Sequence, residues 1–100
     1  MIISTLNLRK GLRNKVKFLK QFISKTDILC LQETTEINTK IEKEIEEILN
    51  MKIYKSNGDN KSKGVAILVS KNWNCDITDY PTDTYFKGRL KHITLKIENE

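Results

Sequence analysis

The sequence predicts an α/β fold in which two helices pack on a sheet that contains parallel and antiparallel strands. Apolar residues recur at helical spacing in two segments, and each segment follows a strand-like run. Two short runs, at residues 28–31 and 65–69, are apolar throughout, which is typical of strands buried on both faces. The predicted order of elements is β-α-β-α-β-β-β.

The first half of the chain supplies the predicted helices. Residues 2–8 mix alternation with β-branched side chains and predict a strand, with the polar Asn7 near its end. Helical stripes then predict one helix over about residues 12–25 and another over about 36–50, on either side of the apolar strand at 28–31. Thr34 or Thr35 is the expected N-cap of the second helix.

The second half predicts further strands. Residues 51–55 suit a short strand, and the turn formers at 56–63 suit a hairpin connection to the strand at 65–69. Residues 71–87 are mixed, and Gly88 opens a last alternating strand. Two helices cover only one face of such a sheet, whereas the strands at 28–31 and 65–69 are apolar on both faces. We therefore expect the chain to be part of a larger fold, or a half that associates with another copy or partner, so that the second face is also covered.

Charge favours anionic partners, though moderately. The chain has 100 residues, the size of one domain, and carries 18 basic against 13 acidic residues, a net charge of +5. The distribution is uneven, since residues 9–25 hold seven basic side chains and no acid, whereas residues 36–47 hold five acids and two lysines. The basic character is therefore local.

Cysteine content and hydropathy indicate the compartment. The two cysteines, Cys30 and Cys75, indicate neither a disulfide framework nor a metal cluster. The first eight residues are too short and polar for a signal sequence, and no apolar run has the length of a membrane span. We expect a soluble intracellular protein of the nucleus or cytoplasm, without a membrane partner.

Glu33 is the first candidate for chemistry. It follows the apolar run 28–31 with Gln32 before it and Thr34 after it, so a rigid buried strand sets its position. A carboxylate placed in this way suits a metal ligand. The alternative is a structural acid beside the first turn of the second helix, where the helix dipole favours negative charge.

Four motifs in order resemble the endonuclease/exonuclease/phosphatase family: STLNLR at 4–9, DILCLQET at 27–34, KGVAILVS at 63–70 and GR at 88–89. The likeness is strongest to the apurinic-like endonuclease domain of LINE-type (non-LTR) retrotransposons. It covers nearly all of this chain but only the first half of the family domain. It implies that residues 1–100 are a single partial domain, the N-terminal half of a four-layered α/β sandwich with a DNase I-like fold.

The resemblance also implies a site. Asn7 and Glu33 match the Asn and Glu at the family's metal site, so they are the expected catalytic and metal-binding residues, with Mg²⁺ or Mn²⁺ as the ion. Glu33 is the expected direct ligand, and Asn7 suits orienting water, phosphate or Glu33 itself. By the same resemblance, the family's later Tyr, Asp-x-Asn and Ser-Asp-His are absent from residues 1–100 and are expected to lie beyond residue 100. We therefore expect the isolated chain to be inactive or nearly so.

Three functions follow as hypotheses. The first is the N-terminal half of a Mg²⁺-dependent phosphodiester endonuclease that nicks DNA, with the second half of the domain or a downstream reverse transcriptase as further partners. The second is a non-catalytic remnant that acts as an interaction or nucleic-acid-binding module. The third is a phosphomonoesterase or phospholipid phosphodiesterase of the same fold.

Several side chains are candidates for contacts with nucleic acid. The expected phosphate-binding residues are Arg9, Lys61, Lys63, Lys71, Lys87 and Arg89. Aromatic side chains could stack on bases, although covering the sheet edge is the favoured role for Trp73, Tyr80, Tyr85 and Phe86. His92, the single histidine, has no Ser-Asp before it, which disfavours a catalytic role.

Overall fold

A computed structural model describes residues 1–9, 11, 12, 15–59 and 62–97. Its elements in chain order are β1 (Ile3–Asn7), α1 (Val16–Ile23), β2 (Ile28–Gln32), α2 (Thr39–Leu49), β3 (Met51–Ser56), β4 (Val65–Ser70), β5 (Cys75–Tyr80), a 3₁₀ turn (Thr84–Phe86) and β6 (His92–Ile97). No helix within the described residues is long and apolar enough to cross a membrane.

The larger sheet has the strand order β1-β2-β4-β3. β1 and β2 run parallel and are joined through α1, whereas β4 is antiparallel to β2 and to β3. The prediction of a mixed α/β fold with antiparallel later strands is confirmed. β5 and β6 form a separate antiparallel hairpin, with Cys75 opposite Ile97 and Tyr80 opposite His92.

The core lies between one face of the larger sheet and the two helices. Side chains from the two central strands supply this face, and those from the inner sides of α1 and α2 complete it. The residues of these elements in the core are Leu29, Leu31, Ala66, Leu68, Val16, Leu19, Ile45 and Leu49. Alternation along the strands directs this set to one face, so a slip of one residue would expose it.

The opposite face of the sheet is only partly covered. Ile28 and Val69 are buried there, but Cys30 and Ile67 are half-buried and Ile3 is 64% exposed. The β5–β6 hairpin approaches Tyr54 on this side. Burial raises the pKa of the Tyr54 phenol, and the nearby Asp79 and Cys75 raise it further by a smaller amount.

The predicted order missed one strand. Residues 71–87 were expected to be mixed, but Cys75–Tyr80 forms β5. Its segment, CDITDY, has one large aliphatic residue and becomes a strand by pairing with β6. The last strand begins at His92, not at Gly88, because the 3₁₀ turn is extended by hydrogen bonds from the Arg89 and Leu90 amides to the Phe86 carbonyl.

The helices begin later than predicted. Before α1, the amides of Gly11 and Leu12 donate to the carbonyls of Glu33 and Thr34, which holds this segment against the exit of β2. Before α2, the amide of Ile37 donates to Asn57 Oδ1 at 3.0 Å. Tertiary hydrogen bonds therefore displace the first turn of each predicted helix.

The N-cap of α2 is Asn38, not Thr34 or Thr35. Asn38 Oδ1 accepts a hydrogen bond from the Ile41 amide at 2.9 Å. Thr34 is fully buried in the loop, where its hydroxyl donates to the Thr35 carbonyl. The threonines thus belong to the exit of β2.

We predict that Asn38→Ala lowers the free energy of unfolding by about 1 kcal/mol, because the cap is lost from an exposed helix terminus. Asn38→Asp keeps an acceptor at the same position and should retain most of the stability. Urea denaturation followed by circular dichroism measures both variants. Equal stability of Asn38→Ala and the unmodified chain would contradict the assignment of the cap.

Asp27 joins three parts of the fold. Its carboxylate accepts a hydrogen bond from the Ile2 amide at 2.6 Å. Hydrogen bonds from the side chain of Trp73 and from the Ile2 backbone lower the pKa of Asp27. The carboxylate thus connects the start of β1 to the segment after β4.

The lowered pKa of Asp27 predicts an acid-sensitive contact. Its stabilising contribution is present above the unfolded pKa of about 3.9 and is lost as the pH falls through the lower folded pKa. Fluorescence of Trp73, the single tryptophan, should therefore change in this acidic range before global unfolding. Asp27→Asn should remove that transition; its persistence in the variant would refute the contact.

Candidate metal and nucleic-acid site

The two expected metal-site residues lie at one edge of the sheet. Asn7 ends β1 opposite Gln32, the last residue of the parallel strand β2, and Glu33 follows directly. The Leu8 amide donates to the Gln32 carbonyl and the Gly11 amide donates to the Glu33 carbonyl, each at 3.0 Å. The backbone therefore holds the Asn7 and Glu33 positions on neighbouring strand ends.

Asn7 is exposed and oriented by its own turn. Its Oδ1 accepts a hydrogen bond from the Arg9 amide at 2.8 Å, and Arg9 adopts a left-handed conformation with φ of 67°. An amide oxygen has a second lone pair, and the amide nitrogen has two donors. Asn7 thus retains the capacity to bind a water or a phosphate oxygen.

Glu33 presents a solvent-accessible carboxylate. It is exposed, and within the described part of the chain no hydrogen bond or ion pair engages its side chain. Its φ is 55°, a left-handed conformation that costs a non-glycine residue about 1 kcal/mol. The surrounding hydrogen bonds impose this conformation, which sets the direction in which the side chain leaves the sheet.

A junction of backbone hydrogen bonds connects Glu33 to two distant segments. The amides of Thr34 and Thr35 donate to the carbonyls of Gly64 and Lys63, at 3.0 and 2.8 Å. The Gly64 amide donates in turn to the Gly88 carbonyl at 2.7 Å. We call these five residues the junction.

The junction requires glycine at position 64. Gly64 has φ of 90°, and a Cβ there would lie 2.3 Å from Thr34 Oγ1 and 2.5 Å from the Thr35 carbonyl oxygen. Such distances are too short for a real Cβ contact, and the conformation itself disfavours L side chains. The close approach of these backbones therefore depends on the missing side chain.

A cationic cleft of about 480 Å³ lies beside the junction. The loop between β3 and β4 forms one wall, and the segment around the 3₁₀ turn forms the other. Its lining residues are Asn57, Gly58, Asp59, Lys63, Thr84, Tyr85, Lys87 and Arg89. The structure thus brings together three of the residues expected to contact phosphate.

The other expected phosphate contacts are placed differently. Arg9 lies beside Asn7, outside the residues that line the cleft. Lys71 follows the end of β4 that pairs with the start of β2, so it lies at the opposite edge of the sheet from Glu33. Lys61 lies outside the described residues.

The aromatic residues divide between two environments. Trp73 contacts Asp27, and the Tyr80 ring stacks on His92 with ring centroids 4.4 Å apart, so these three support the fold. Tyr85 instead lines the cleft and is 81% exposed. The favoured role of covering the sheet edge is therefore wrong for Tyr85.

Sequence reasoning missed Ser56 and Asn57, which hold the walls of the cleft through hydrogen bonds. Ser56 is buried, and its hydroxyl accepts a hydrogen bond from the Gly88 amide at 2.7 Å. Asn57 binds the Ile37 amide through Oδ1. Both lie among turn formers and carry no signal of this role, whereas Lys63, Lys87 and the GR motif at 88–89 had marked the two walls.

The donor set is compatible with a divalent cation but incomplete. Asn7 and Glu33 offer amide and carboxylate oxygens, the ligand types that Mg²⁺ accepts alongside water. Among the residues that the structure describes, no group of three or more His, Cys, Asp or Glu side chains could hold a metal ion. Asn7 and Glu33 therefore fit one side of a metal site.

Comparison with solved structures identifies a nuclease with the same fold. An AP endonuclease from Archaeoglobus fulgidus superposes with a TM-score of 0.63 and 25% sequence identity, over 98% of this chain. The chain spans 38% of the length of that protein. No protein-family model and no curated protein matches the sequence. The superposition supports the nuclease-type, DNase I-like fold that the sequence motifs implied.

We predict that Ser56→Ala loosens the wall of the cleft. Removing the hydroxyl leaves the buried Gly88 amide without its acceptor, at a cost of about 1–3 kcal/mol. Hydrogen exchange at Gly88 should accelerate, and exchange at Gly64 should follow because its acceptor is the Gly88 carbonyl.

Ser70→Ala is the matched control, since its hydroxyl accepts from the exposed Asn72 amide at the other end of β4. This control should leave exchange at Gly88 unchanged. Unchanged exchange at Gly88 in Ser56→Ala would show that the hydroxyl does not hold this segment.

Proposed function

We propose that the chain is the N-terminal half of a Mg²⁺-dependent phosphodiester endonuclease domain that nicks DNA. The observation that carries the proposal is the placement of Asn7 and Glu33 on adjacent parallel strand ends, with the cationic cleft connected to Glu33 through the junction. The fold shared with an AP endonuclease supports a nuclease over other functions of the same scaffold.

Each group has a chemical task in this proposal. Glu33 and Asn7 would hold the divalent cation, which would supply charge neutralisation at the phosphate and an activated water. The Asn7 amide nitrogen donates to a phosphate oxygen or to the attacking water. Lys63, Lys87 and Arg89 bind neighbouring backbone phosphates, which fixes the register of the DNA on the sheet edge.

The remainder of the domain completes the site. The sequence resemblance places a Tyr, an Asp-x-Asn pair and a Ser-Asp-His in a second half, and the chain spans 38% of the archaeal enzyme. We propose that this half forms the second sheet of the four-layered sandwich on the partly open face around Cys30 and Ile67. Without it, the 100-residue chain should not turn over DNA.

The LINE-type motifs support a finer proposal. Residues 54–70 are most like the endonuclease domains of non-LTR retrotransposons, which favours DNA over soluble phosphate esters or phospholipids as substrate and a downstream reverse transcriptase as partner. Such a protein would act in the nucleus or cytoplasm.

Binding of Mn²⁺, a spectroscopic substitute for Mg²⁺, tests the metal site in the chain itself. Paramagnetic broadening of NMR signals should begin at the amides of residues 7, 33 and 34. Glu33→Gln should abolish this local broadening, because it removes the carboxylate. Glu36→Gln, which removes an exposed carboxylate three residues further on, should preserve it. If the broadening were the same in Glu33→Gln as in the unmodified chain, the metal site would be refuted.

Nicking tests the activity in a longer protein that contains the second half of the domain. Conversion of supercoiled plasmid to open circles in Mg²⁺ should fall by about 10³-fold or more in Glu33→Gln and remain near normal in Glu36→Gln. Parallel assays on phosphomonoesters and phospholipids distinguish the sister activities. Nicking at an unchanged rate in Glu33→Gln would overturn the catalytic assignment.

An interaction module is the second candidate function. β1 pairs only with β2 within the described residues, and Ile2 and Ile3 are more than half exposed beside its open edge. Open apolar edges are templates for pairing with another strand. Retained partner binding by a Glu33→Gln variant that has lost Mn²⁺ binding would favour this function.

A further inference from the structure

Tyr85 is displayed at the mouth of the cleft. Its side chain is 81% exposed, the highest value among the large hydrophobic residues that the structure describes as exposed. Its ring meets Phe86 edge to face, with centroids 5.0 Å apart and an angle of 86° between the planes. An aromatic ring that is exposed to this extent has a face available for stacking.

The backbone holds this ring in place. Asp83 caps the 3₁₀ turn by accepting a hydrogen bond from the Tyr85 amide at 2.8 Å. Two residues beyond the turn, Gly88 is fixed by Ser56 and Gly64. Tyr85 is therefore exposed on a segment that is anchored at both ends.

Positive charge surrounds the ring. Lys63, Lys87 and Arg89 line the same cleft. The one acidic lining residue, Asp59, accepts hydrogen bonds from the Ser62 amide and hydroxyl. Three cations against one carboxylate leave the cleft attractive to a phosphate chain.

We propose that Tyr85 is a stacking platform for an unpaired base, and that the cleft binds a single-stranded or frayed stretch of DNA. The inference rests on the proposed function, from which it takes DNA as the ligand. A paired base offers only its edges to a protein, whereas an unstacked base offers a ring face. The neighbouring cations bind the phosphates on either side of that base, so the cleft should favour single strands over duplex.

Binding in EDTA tests the proposal without cleavage. A fluorescent oligothymidylate of about 12 nucleotides should bind the chain more tightly than a duplex of equal length at low salt. Tyr85→Ala should weaken single-strand binding by about tenfold or more, because one base loses its stacking partner. Its effect on duplex binding should be less than about twofold, since phosphate contacts remain.

Two further variants isolate stacking from folding. Tyr85→Trp should keep single-strand affinity, because it preserves an aromatic face. Phe18→Ala removes another exposed aromatic side chain, on α1 and away from the cleft, and should change neither affinity. Circular dichroism spectra should agree among all variants. A 2-aminopurine in the strand should change its fluorescence on binding, and Tyr85→Ala should reduce that change.

The outcomes separate this inference from the proposed function. Equal loss of single-strand and duplex affinity in Tyr85→Ala, or no loss of either, would overturn the stacking role even if Glu33 binds Mn²⁺. A selective loss of single-strand affinity supports the role. If that loss occurs in a chain where Glu33→Gln leaves Mn²⁺ broadening unchanged, the platform stands and the metal-site proposal fails.

Discussion

The close approach of backbones at Gly64 is the constraint on which the candidate site depends. Thr34 and Thr35 reach the carbonyls of Gly64 and Lys63 only because no Cβ fills the space between them. The same contact fixes Glu33 in its left-handed conformation, one residue before the junction. A buried loop must satisfy its amides, and here the carbonyls of Gly64 and Lys63 accept from Thr34 and Thr35. The position of the carboxylate is thus set by contacts that do not involve its side chain.

The junction also explains why the cationic cleft does not coincide with the most basic stretch of the sequence. The densest basic run lies at residues 9–25, yet the cations of the cleft come from Lys63, Lys87 and Arg89, which stand outside it. Hydrogen bonds from Gly64 to Gly88 and from Gly88 to Ser56 bring their segments together. Basic residues are therefore densest along residues 9–25 of the sequence, whereas tertiary hydrogen bonding assembles the concave cationic surface from other segments.

An element could be predicted from the sequence where its own residues determine its structure, and could not where contacts with distant residues determine it. β2 and β4 were predictable because burial demands apolar residues at nearly every position. β5 was not, because a half-exposed strand owes its conformation to pairing with β6. Asn7 and Glu33 could be selected from their motifs, but the structure alone shows that their strands are parallel and in register at that edge. The two walls of the cleft are more than twenty residues apart in the sequence, and no periodic pattern of residues indicates that they meet.

The partial donor set of Asn7 and Glu33 and the partly open face of the sheet lie at the same place in the fold. Asn7 and Gln32 occupy cross-strand positions on the face where Cys30 and Ile67 are only half-buried. A cation held by Asn7 and Glu33 would need further ligands, because Mg²⁺ requires about six oxygens and uses water for those that the protein does not supply. A segment that covered the open face beside Cys30 and Gln32 would lie next to the same strand termini. A single second layer could therefore bury the apolar side chains and also add acidic ligands to the cation. A small cofactor bound beside Asn7 and Glu33 could add ligands but would leave the apolar side chains uncovered.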